Sequence, residues 1–339
     1  MKAKKNVLLP QPIESEAVAL LEKKGCHVIV APEPKPDVVG SLLKDVQGLI
    51  LRTGITVTRE LLAYADDLQV ISRTGGGLDN VDMAAASEKG ILVTSNLGVN
   101  TSSVVEHVLA LMLSLAKQLP LMDNSVRSQR FSIRYQNLPR DLREKTLGLL
   151  GFGRIGSEVG RVCRNIFGMR ILVFDPFLPE NLQATYRDWV EFADLEALFS
   201  SADVISIHVP LTDHTHHLVG RREFGWMKPE AFLINAARGP IIDEDALVEA
   251  LRNRKIAGAG LDVFTREPLP VDHPLLKLDN VILTPHAAAL TLECVIRMAV
   301  EAAQCVIDVL EGNIPPNLAN PQLLKTDRFK HLVPKVHAG

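Results

Sequence analysis

Three polar residues in the second half of the chain, Arg238, Glu267 and His286, each come shortly after an apolar run that predicts a strand. Ligands of open α/β sheets bind beyond the carboxyl ends of the strands, so we expect the three side chains to share a site. Removing a hydride from a carbinol carbon needs a base for the hydroxyl proton, and the imidazole of His286 suits that role near neutral pH. Glu267 would orient this imidazole, and Arg238 would bind an α-carboxylate and polarise the C2 oxygen. Taken singly, each has an alternative interpretation, as part of a turn or as a surface charge.

Upstream of these residues, a glycine-rich segment has the spacing of a dinucleotide-binding turn. Gly151-Phe-Gly153-Arg-Ile-Gly156 follows the apolar run Leu147–Leu150, and Asp175 lies 19 residues beyond Gly156. The three glycines would permit a tight turn, close approach of a pyrophosphate, and packing of a helix on a strand. A carboxylate at Asp175 suits a ribose diol and repels a 2′-phosphate, which favours NAD over NADP. The glycine motif alone would also fit a purely structural turn.

Composition excludes several classes of protein. The 339 residues are 47% hydrophobic and 23% charged, and the formal net charge is -3, which provides no basic field for nucleic acid. The apolar runs Val7–Leu9 and Val104–Ala116 are too short for a signal-peptide core and a membrane span, respectively. The cysteines lack disulfide-framework or metal-ligand spacing: Cys26, Cys163, Cys294 and Cys305. We therefore expect a soluble, cytoplasmic protein with free thiols that binds neither nucleic acid nor membrane.

Two alternating runs of short apolar segments predict an α/β fold with two doubly wound parallel sheets. The first run predicts strands at Asn6–Leu9, Val28–Val30, Gly48–Leu51, Gln69–Ser72 and Ile91–Thr94. The second predicts six strands, at Leu147–Leu150, Arg170–Phe174, Val204–His208, Phe232–Asn235, Gly258–Asp262 and Val281–Thr284.

The helices between and after these runs suggest a domain division. A helix is predicted at Thr101–Leu119, followed by an arginine-rich segment over 123–144, and a final helix at Thr291–Leu310 is expected to return to the first domain. The predicted domains are residues 1–100 with 290–322, and residues 101–289, with a mobile tail over 323–339.

Seven motifs in order resemble those of one enzyme family. They are Arg73–Asp82, Asn100–His107, Leu149–Gly156, His208–Thr212, Asn235–Gly239, Leu261–Phe264 with Glu267-Pro268, and Thr284–His286. The chain is similar to the D-isomer-specific 2-hydroxyacid dehydrogenases, in particular to the branch of phosphoglycerate dehydrogenase and hydroxypyruvate reductase. The resemblance implies a Rossmann-like NAD-binding domain and a discontinuous, flavodoxin-like substrate domain. It also implies catalytic roles for Arg238, Glu267 and His286.

The resemblance assigns further residues to the two ligands. Those implied to bind NAD are Gly151, Gly153, Arg154, Ile155, Gly156, Asp175, His208, Pro210, Thr215, Ala236 and Asp262. Those implied to bind substrate are Arg52, Gly75, Gly76 and Asn100. Asp262 matches the position that holds the nicotinamide carboxamide, although alone it would also fit a strand-end cap.

Partners and substrate follow from the same resemblance. The long helix and the arginine-rich segment are expected to build a homodimer. No metal site is expected, because His214, His216 and His217 have no neighbouring carboxylate or thiol set. The predicted function is transfer of a hydride between nicotinamide and C2 of a small D-2-hydroxy acid, as in phosphoglycerate dehydrogenase. The alternatives are a hydroxypyruvate or glyoxylate reductase and, from another class, an NAD-sensing corepressor-like binding protein.

Overall fold

The computed structural model describes residues 5–334, which form twelve α-helices, four short 3-10 helices and fourteen strands. The strands are β1 (Lys5–Leu9), β2 (Cys26–Val30), β3 (Gly48–Leu51), β4 (Val70–Arg73), β5 (Leu92–Ser95), β6 (Thr146–Leu150), β7 (Arg170–Phe174), β8 (Glu191–Phe192), β9 (Val204–Ile207), β10 (Phe232–Asn235), β11 (Gly258–Leu261), β12 (Val281–Leu283), β13 (Asn313–Ile314) and β14 (Val333–Pro334). The helices are α1 (Ser15–Lys23), α2 (Pro36–Leu42), α3 (Arg59–Leu62), α4 (Met83–Glu88), α5 (Thr101–Ala116), α6 (Leu119–Arg127), α7 (Arg154–Phe167), α8 (Glu180–Tyr186), α9 (Leu195–Ser201), α10 (Arg221–Trp226), α11 (Glu244–Arg252) and α12 (Leu292–Glu311). The chain forms two compact units. The first comprises the described residues of Met1–Asn100 and Leu290–Gly339, and the second is Thr101–Ala289.

The first unit is built on five parallel strands in the order β2-β1-β3-β4-β5. This is the flavodoxin-like order, and it confirms the predicted α/β class for this unit. The run Leu49-Ile50-Leu51 is buried, and alternate side chains point to opposite faces of the sheet. Leu49 and Leu51 therefore belong to one apolar core, whereas Ile50 belongs to a second core that α1 and α12 cover.

Helix α12 lies close to its predicted bounds and completes the second of these cores. The hydroxyl of Thr291 caps its first turn by accepting from Cys294 N at 3.2 Å, and Gly312 ends it with a φ of 90°. Its inner face is rich in small residues, with Ala299, Ala302 and Ala303 fully buried. These small side chains let the helix approach β3 and β4 closely, so a segment that begins 219 residues after the end of β4 becomes part of the first unit.

The second unit is built on seven parallel strands in the order β12-β11-β10-β9-β6-β7-β8. The direction of chain progression reverses between β6 and β9, which makes their carboxyl ends the switch point where ligands of such sheets bind. Six of these strands were expected, and the prediction of a six-stranded sheet is wrong by one strand. The seventh, β8, has two residues that pair with Leu172 and Val173 of β7 at the sheet edge, and so short a segment has no periodicity to detect.

The predicted helix Thr101–Leu119 ends earlier than expected. Gln118 adopts a φ of 53°, and α6 then begins at Leu119 with Pro120 in its first turn. A proline is readily accepted in a first turn, so the sequence signal at Pro120 marks the start of a second helix. In the described part of the chain, no single helix is long and apolar enough to cross a membrane; α5 and α6 meet that test only as a pair bent by 58°.

The segment after α12 differs from the expected mobile tail. Strand β13 pairs with β14, and Leu323, Phe329 and Leu332 are buried in the core that α12 covers. The guanidinium of Arg328 donates to the carbonyl oxygens of Lys89 and Leu68 at 3.0 and 2.8 Å. The expectation is thus wrong for residues 323–334, because three well-spaced apolar side chains anchor an otherwise polar segment. Its remainder, residues 335–339, lies outside the described residues.

Replacing Phe329 with alanine should destabilise the first unit by about 3 kcal/mol, because it removes a ring that is 97% buried and leaves a cavity. Thermal unfolding followed by circular dichroism would measure the loss. Phe177→Ala is the matched control, since that ring is 78% exposed. Equal melting temperatures for the two variants would contradict the packing of this segment.

Candidate active site

The glycine-rich turn after β6 requires glycine at two positions for different reasons. Gly151 has a φ of 96°, and a Cβ there would lie 2.8 Å from the carbonyl carbon of His208. A Cβ at Gly156 would lie 2.3 Å from the backbone oxygen of Gly151, so the first turn of α7 can pack on the loop only without a side chain. The fold itself therefore requires glycine at positions 151 and 156.

Gly153 is different, because no heavy atom of the described residues lies within 4 Å of a Cβ built at this position. It immediately precedes α7 and has a φ of -75°, which any residue adopts. The first N–H groups of a helix, here those of Arg154 and Ile155, lack intrahelical acceptors and bind anions. The open space at Gly153 is thus a cradle that a side chain would fill, and it fits a pyrophosphate.

Asp175 lies directly after β7, and its carboxylate is held against the glycine-rich turn. Oδ2 accepts from Phe152 N at 2.8 Å and Oδ1 accepts from Phe177 N at 3.1 Å. A carboxylate offers about four acceptor sites, so each oxygen keeps capacity for a ribose hydroxyl. The structure brings Asp175, Gly151, Gly153 and Gly156 together as the sequence predicted.

The loop after β9 contains the next three residues implied to bind NAD. Burial lowers the pKa of His208 to about 4, so its imidazole is neutral at neutral pH, and Nε2 shares a 2.9 Å hydrogen bond with Ser206 Oγ. The hydroxyl of Thr215 is buried; it donates to Pro210 O at 2.6 Å and accepts from Thr212 N at 2.7 Å. Thr215 and Pro210 thus shape the loop itself, and their contacts with NAD stay predictions.

The neighbouring histidines do not assemble a metal site in the described chain. His216 and His217 stack on each other with ring centroids 4.0 Å apart. No group of three potential His, Cys, Asp or Glu ligands occurs over residues 5–334.

Asp262 follows β11 and is completely buried. Oδ1 accepts from Thr284 Oγ1 at 2.6 Å and from Ala287 N at 2.9 Å, and Oδ2 accepts from Ala288 N at 2.9 Å. Its backbone oxygen accepts from His286 N at 2.8 Å. Asp262 therefore fixes the segment 284–288 on both sides of His286, and its contact with the nicotinamide carboxamide remains a prediction.

A histidine on α5 supports this buried carboxylate. His107 Nε2 lies 3.0 Å from Thr284 Oγ1 and 3.5 Å from Asp262 Oδ1. Thr284 is thereby held between His107 and Asp262. Sequence reasoning missed this role, although His107 lies within the Asn100–His107 motif, because the two contacting segments are 177 residues apart.

His286 and Glu267 form the pair that the sequence predicted. Nδ1 of His286 lies 2.7 Å from Oε2 of Glu267, and Oε1 of Glu267 accepts from Phe264 N at 3.0 Å. His286 has a φ of 52°, a left-handed conformation that is uncommon for a residue with a side chain. The bonds of Asp262 and Glu267 hold this conformation and leave Nε2 as the ring nitrogen for another partner. The pair borders a cavity of about 400 Å³ whose other walls are mostly apolar, formed by Phe264, Pro268, Leu269, Leu276, Leu283, Thr284 and Pro285.

Arg238 comes from the loop after β10, which a buried asparagine organises. Asn235 accepts from Ala237 N at 3.0 Å and donates to Arg238 O at 2.9 Å, so its amide closes the loop that contains Ala236. A Cβ at Gly239 would lie 2.0 Å from Phe264 O. The loop of Arg238 therefore packs backbone to backbone against the loop that leads to Glu267, at the same edge of the sheet as His286.

The residues implied to bind substrate lie in the first unit. Gly75, with a φ of 138°, and Gly76 follow β4, and a Cβ at Gly76 would lie 4.0 Å from Asn100 Nδ2. Arg52 follows β3, but its guanidinium is engaged locally: it lies 3.2 Å from Glu14 Oε1 and donates to Pro12 O at 3.1 Å. Gly75, Gly76 and Asn100 are thus grouped, whereas the charge of Arg52 is paired with a carboxylate.

Comparison with known proteins decides the family. Residues 109–288 match the NAD binding domain of D-isomer specific 2-hydroxyacid dehydrogenases. The chain is 37% identical over 330 residues to a glyoxylate reductase of Thermofilum pendens, which covers 95% of this chain and 96% of that protein. The chain belongs to the D-isomer specific 2-hydroxyacid dehydrogenase family. Its second unit is that family's NAD-binding domain, and NAD is the cofactor.

Other members of the dehydrogenase family extend the comparison. The chain is 36% identical over 328 residues to a D-3-phosphoglycerate dehydrogenase of Archaeoglobus fulgidus, which covers 97% of this chain but 62% of that protein. The chain thus spans about three-fifths of the length of that relative. A crystal structure of D-lactate dehydrogenase from Aquifex aeolicus, complexed with NAD and lactic acid, superimposes with a TM-score of 0.82 at 31% identity, covering 93% of this chain and 99% of that one.

In this family member, alanine at Gly153 and alanine at Gly156 should have different effects. Gly153→Ala fits the apo fold but fills the open cradle, so NADH affinity should fall at least tenfold with an unchanged melting temperature. Gly156→Ala places a methyl group against Gly151 O and should lower both the NADH affinity and the melting temperature. Titration of NADH fluorescence and thermal unfolding would measure the two quantities. Tight NADH binding by Gly153→Ala would contradict the cradle.

Proposed function

We propose that the chain is an NAD-dependent oxidoreductase that transfers a hydride between nicotinamide and C2 of a small D-2-hydroxy or 2-oxo acid. The observation that carries the proposal is the 2.7 Å contact between His286 Nδ1 and Glu267 Oε2, with His286 fixed by Asp262 and located in an NAD-binding domain. An imidazole paired with a carboxylate is a competent proton carrier near neutral pH. In this proposal the second unit binds NAD and the first binds the substrate.

The roles of the side chains follow from their positions. NADH, when bound, supplies the hydride. His286 would donate a proton from Nε2 to the C2 oxygen in the direction of reduction and remove it in the direction of oxidation. Glu267 accepts from Nδ1–H, which fixes the tautomer and stabilises the protonated ring. Arg238 would stabilise charge on the C2 oxygen and bind the carboxylate, because a guanidinium makes two parallel hydrogen bonds.

Phosphoglycerate is the proposed substrate, supported by the likeness to D-3-phosphoglycerate dehydrogenases of Archaeoglobus fulgidus and Methanocaldococcus jannaschii at 36% and 38% identity. One observation supports testing hydroxypyruvate and glyoxylate beside it. A phosphate group needs additional cations, and the guanidinium of Arg52 is already paired with Glu14. The smaller 2-oxo acids need no such cation.

An NADH-oxidation assay over hydroxypyruvate, glyoxylate, pyruvate and phosphohydroxypyruvate would test the proposal, with the NAD-reduction assay on phosphoglycerate as its reverse. Replacing His286 with alanine should lower kcat by about 100- to 10,000-fold, because general acid–base catalysis supplies a factor of that order. The dissociation constant of NADH should change little.

His27→Ala is a matched control, since that histidine is exposed in the first unit and its Nδ1 lies 3.2 Å from Asn6 Oδ1. Undiminished turnover by the His286 variant would disprove the role of this residue. NADH binding without turnover of any acid by the wild-type protein would favour a corepressor-like binding protein instead.

We also propose that the protein is a homodimer built through α6 and the segment that follows it. Phe131, Tyr135 and Leu138 expose 60%, 74% and 71% of their surface, and such a cluster on one segment is typical of an interface. The Arg134 guanidinium lies 4.7 Å from the centre of the Tyr135 ring, an arrangement common at interfaces.

We keep the cytoplasm as the proposed location, because the four cysteines are buried free thiols.

The double variant Tyr135→Ser, Leu138→Ser should weaken the dimer at least tenfold, because it removes two large apolar side chains from the proposed interface. Sedimentation velocity over a concentration series would measure the change. Val271→Ser, at a position that is 97% exposed elsewhere in the second unit, should leave the assembly unchanged. A monomeric wild-type protein at micromolar concentration would contradict the proposal.

A further inference from the structure

Asn96 holds the glycine loop after β4 by two hydrogen bonds to a single residue. Gly75 N donates to Asn96 Oδ1 at 2.8 Å, and Asn96 N donates to Gly75 O at 3.0 Å. Asn96 directly follows β5 and is 1% exposed. The side chain of Asn96 thus fixes the N–H of Gly75, and its backbone N–H fixes the carbonyl oxygen of Gly75.

The other edge of the Asn96 amide is held by a carboxylate from α12. Asn96 Nδ2 donates to Glu301 Oε2 at 2.9 Å, and the second oxygen of Glu301 accepts from Asn317 Nδ2 at 3.2 Å. Both bonds are made to a charged acceptor, which makes them stronger than bonds between neutral amides. Glu301 lies 205 residues after Asn96, so the return of the chain to the first unit supplies this support.

The loop is fixed on its other side as well, by the residue before Gly75. Thr74 donates to Leu51 O through both its backbone N–H, at 2.8 Å, and its hydroxyl, at 3.1 Å. At Gly76, a Cβ would make ordinary van der Waals contacts, 3.9 Å from Asn96 O and 4.0 Å from Asn100 Nδ2. The bonds of Thr74 and Asn96 therefore set the direction of the next peptide groups.

We propose that Asn96 and Glu301 are a positioning pair: by holding Gly75, they present the backbone N–H groups of Gly76 and Gly77 to the substrate carboxylate. This inference rests on the proposed function, which assigns the substrate to the first unit, and on the family resemblance, which implies that Gly75 and Gly76 bind it. Donors that are held in place before binding lose little entropy when the anion arrives. Loss of the pair should therefore weaken binding of the carboxylate more than it slows hydride transfer.

Two substitutions can exchange the hydrogen-bond donor and acceptor between residues 96 and 301. N96D keeps an acceptor for Gly75 N but sets a carboxylate oxygen against Glu301 Oε2, so like charges meet in a buried place. N96D/E301Q restores the contact, since a glutamine amide can donate to the new carboxylate while its oxygen still accepts from Asn317. Q304A is the matched control on the same helix, because Gln304 donates to Asp308, outside this network.

The experiment measures KM and kcat with the best 2-oxo acid of the panel, and the dissociation constants of NADH and of oxamate, a non-reacting mimic of a 2-oxo acid. N96D should raise KM and the oxamate dissociation constant about 10- to 100-fold, which is the usual consequence of losing a charge-assisted buried bond. It should change kcat and NADH affinity less than about threefold. N96D/E301Q should return KM and oxamate affinity to within about threefold of the wild type, and Q304A should match the wild type.

The inference is overturned if N96D leaves oxamate affinity unchanged, or if N96D/E301Q folds with the wild-type melting temperature but keeps the defect. Should N96D fail to fold, E301Q alone takes its place, because a glutamine at 301 can accept from only one of the two asparagines. Oxamate binding needs no turnover, so a wild-type protein that binds oxamate but reduces no 2-oxo acid would count against the proposed function and leave this test intact.

Discussion

The position of the candidate catalytic His286 depends on the hydrogen bonds that the buried carboxylate of Asp262 accepts. This carboxylate has no exposed surface, and a charge in such a place is tolerated only when several donors surround it. Thr284, Ala287 and Ala288 supply those donors, and all three lie within two residues of His286. Moving His286 away from its left-handed conformation would break bonds to a buried charge. The strained backbone of the catalytic candidate is therefore held in place by an electrostatic requirement of the core.

A short polar side chain that follows a strand and binds the backbone of a loop recurs in both units. Asn235 closes the loop of Arg238, Asp175 holds the turn of Gly151, and Asn96 holds Gly75. In each case an amide or carboxylate makes hydrogen bonds with backbone groups that the sheet no longer pairs. Loops at the carboxyl edge of a parallel sheet leave the ladder, so their backbone groups need such substitutes. The same residues that satisfy the backbone thus make the loops rigid enough to present catalytic and binding groups.

Sequence reasoning predicted the parts of the fold and the site that depend on local pattern. The turn at Gly151–Gly156, the pair of Glu267 and His286, and most strands follow from spacing within a few residues or from position after a strand. What it missed depends on contacts between distant segments. The two-residue strand β8 exists only because β7 is beside it, and the end of α5 at Ala116 depends on Gln118, whose left-handed conformation no residue type required. The support of Thr284 by His107 and of Asn96 by Glu301 likewise needs tertiary structure.

The segment after Ala289 shows why such contacts matter for function. Without α12, the face of the first sheet that contains Ile50, Val70 and Leu92 would be exposed, since these residues share a core with Ala302 and Val306. The segment that follows continues this support, because Asn320 accepts from Val93 N and donates to Ile91 O at the start of β5. A helix recruited to bury apolar surface also carries Glu301 to the base of the glycine loop. Stability and the geometry of the proposed substrate site therefore arise from one packing arrangement, and a change that loosens α12 would disturb both.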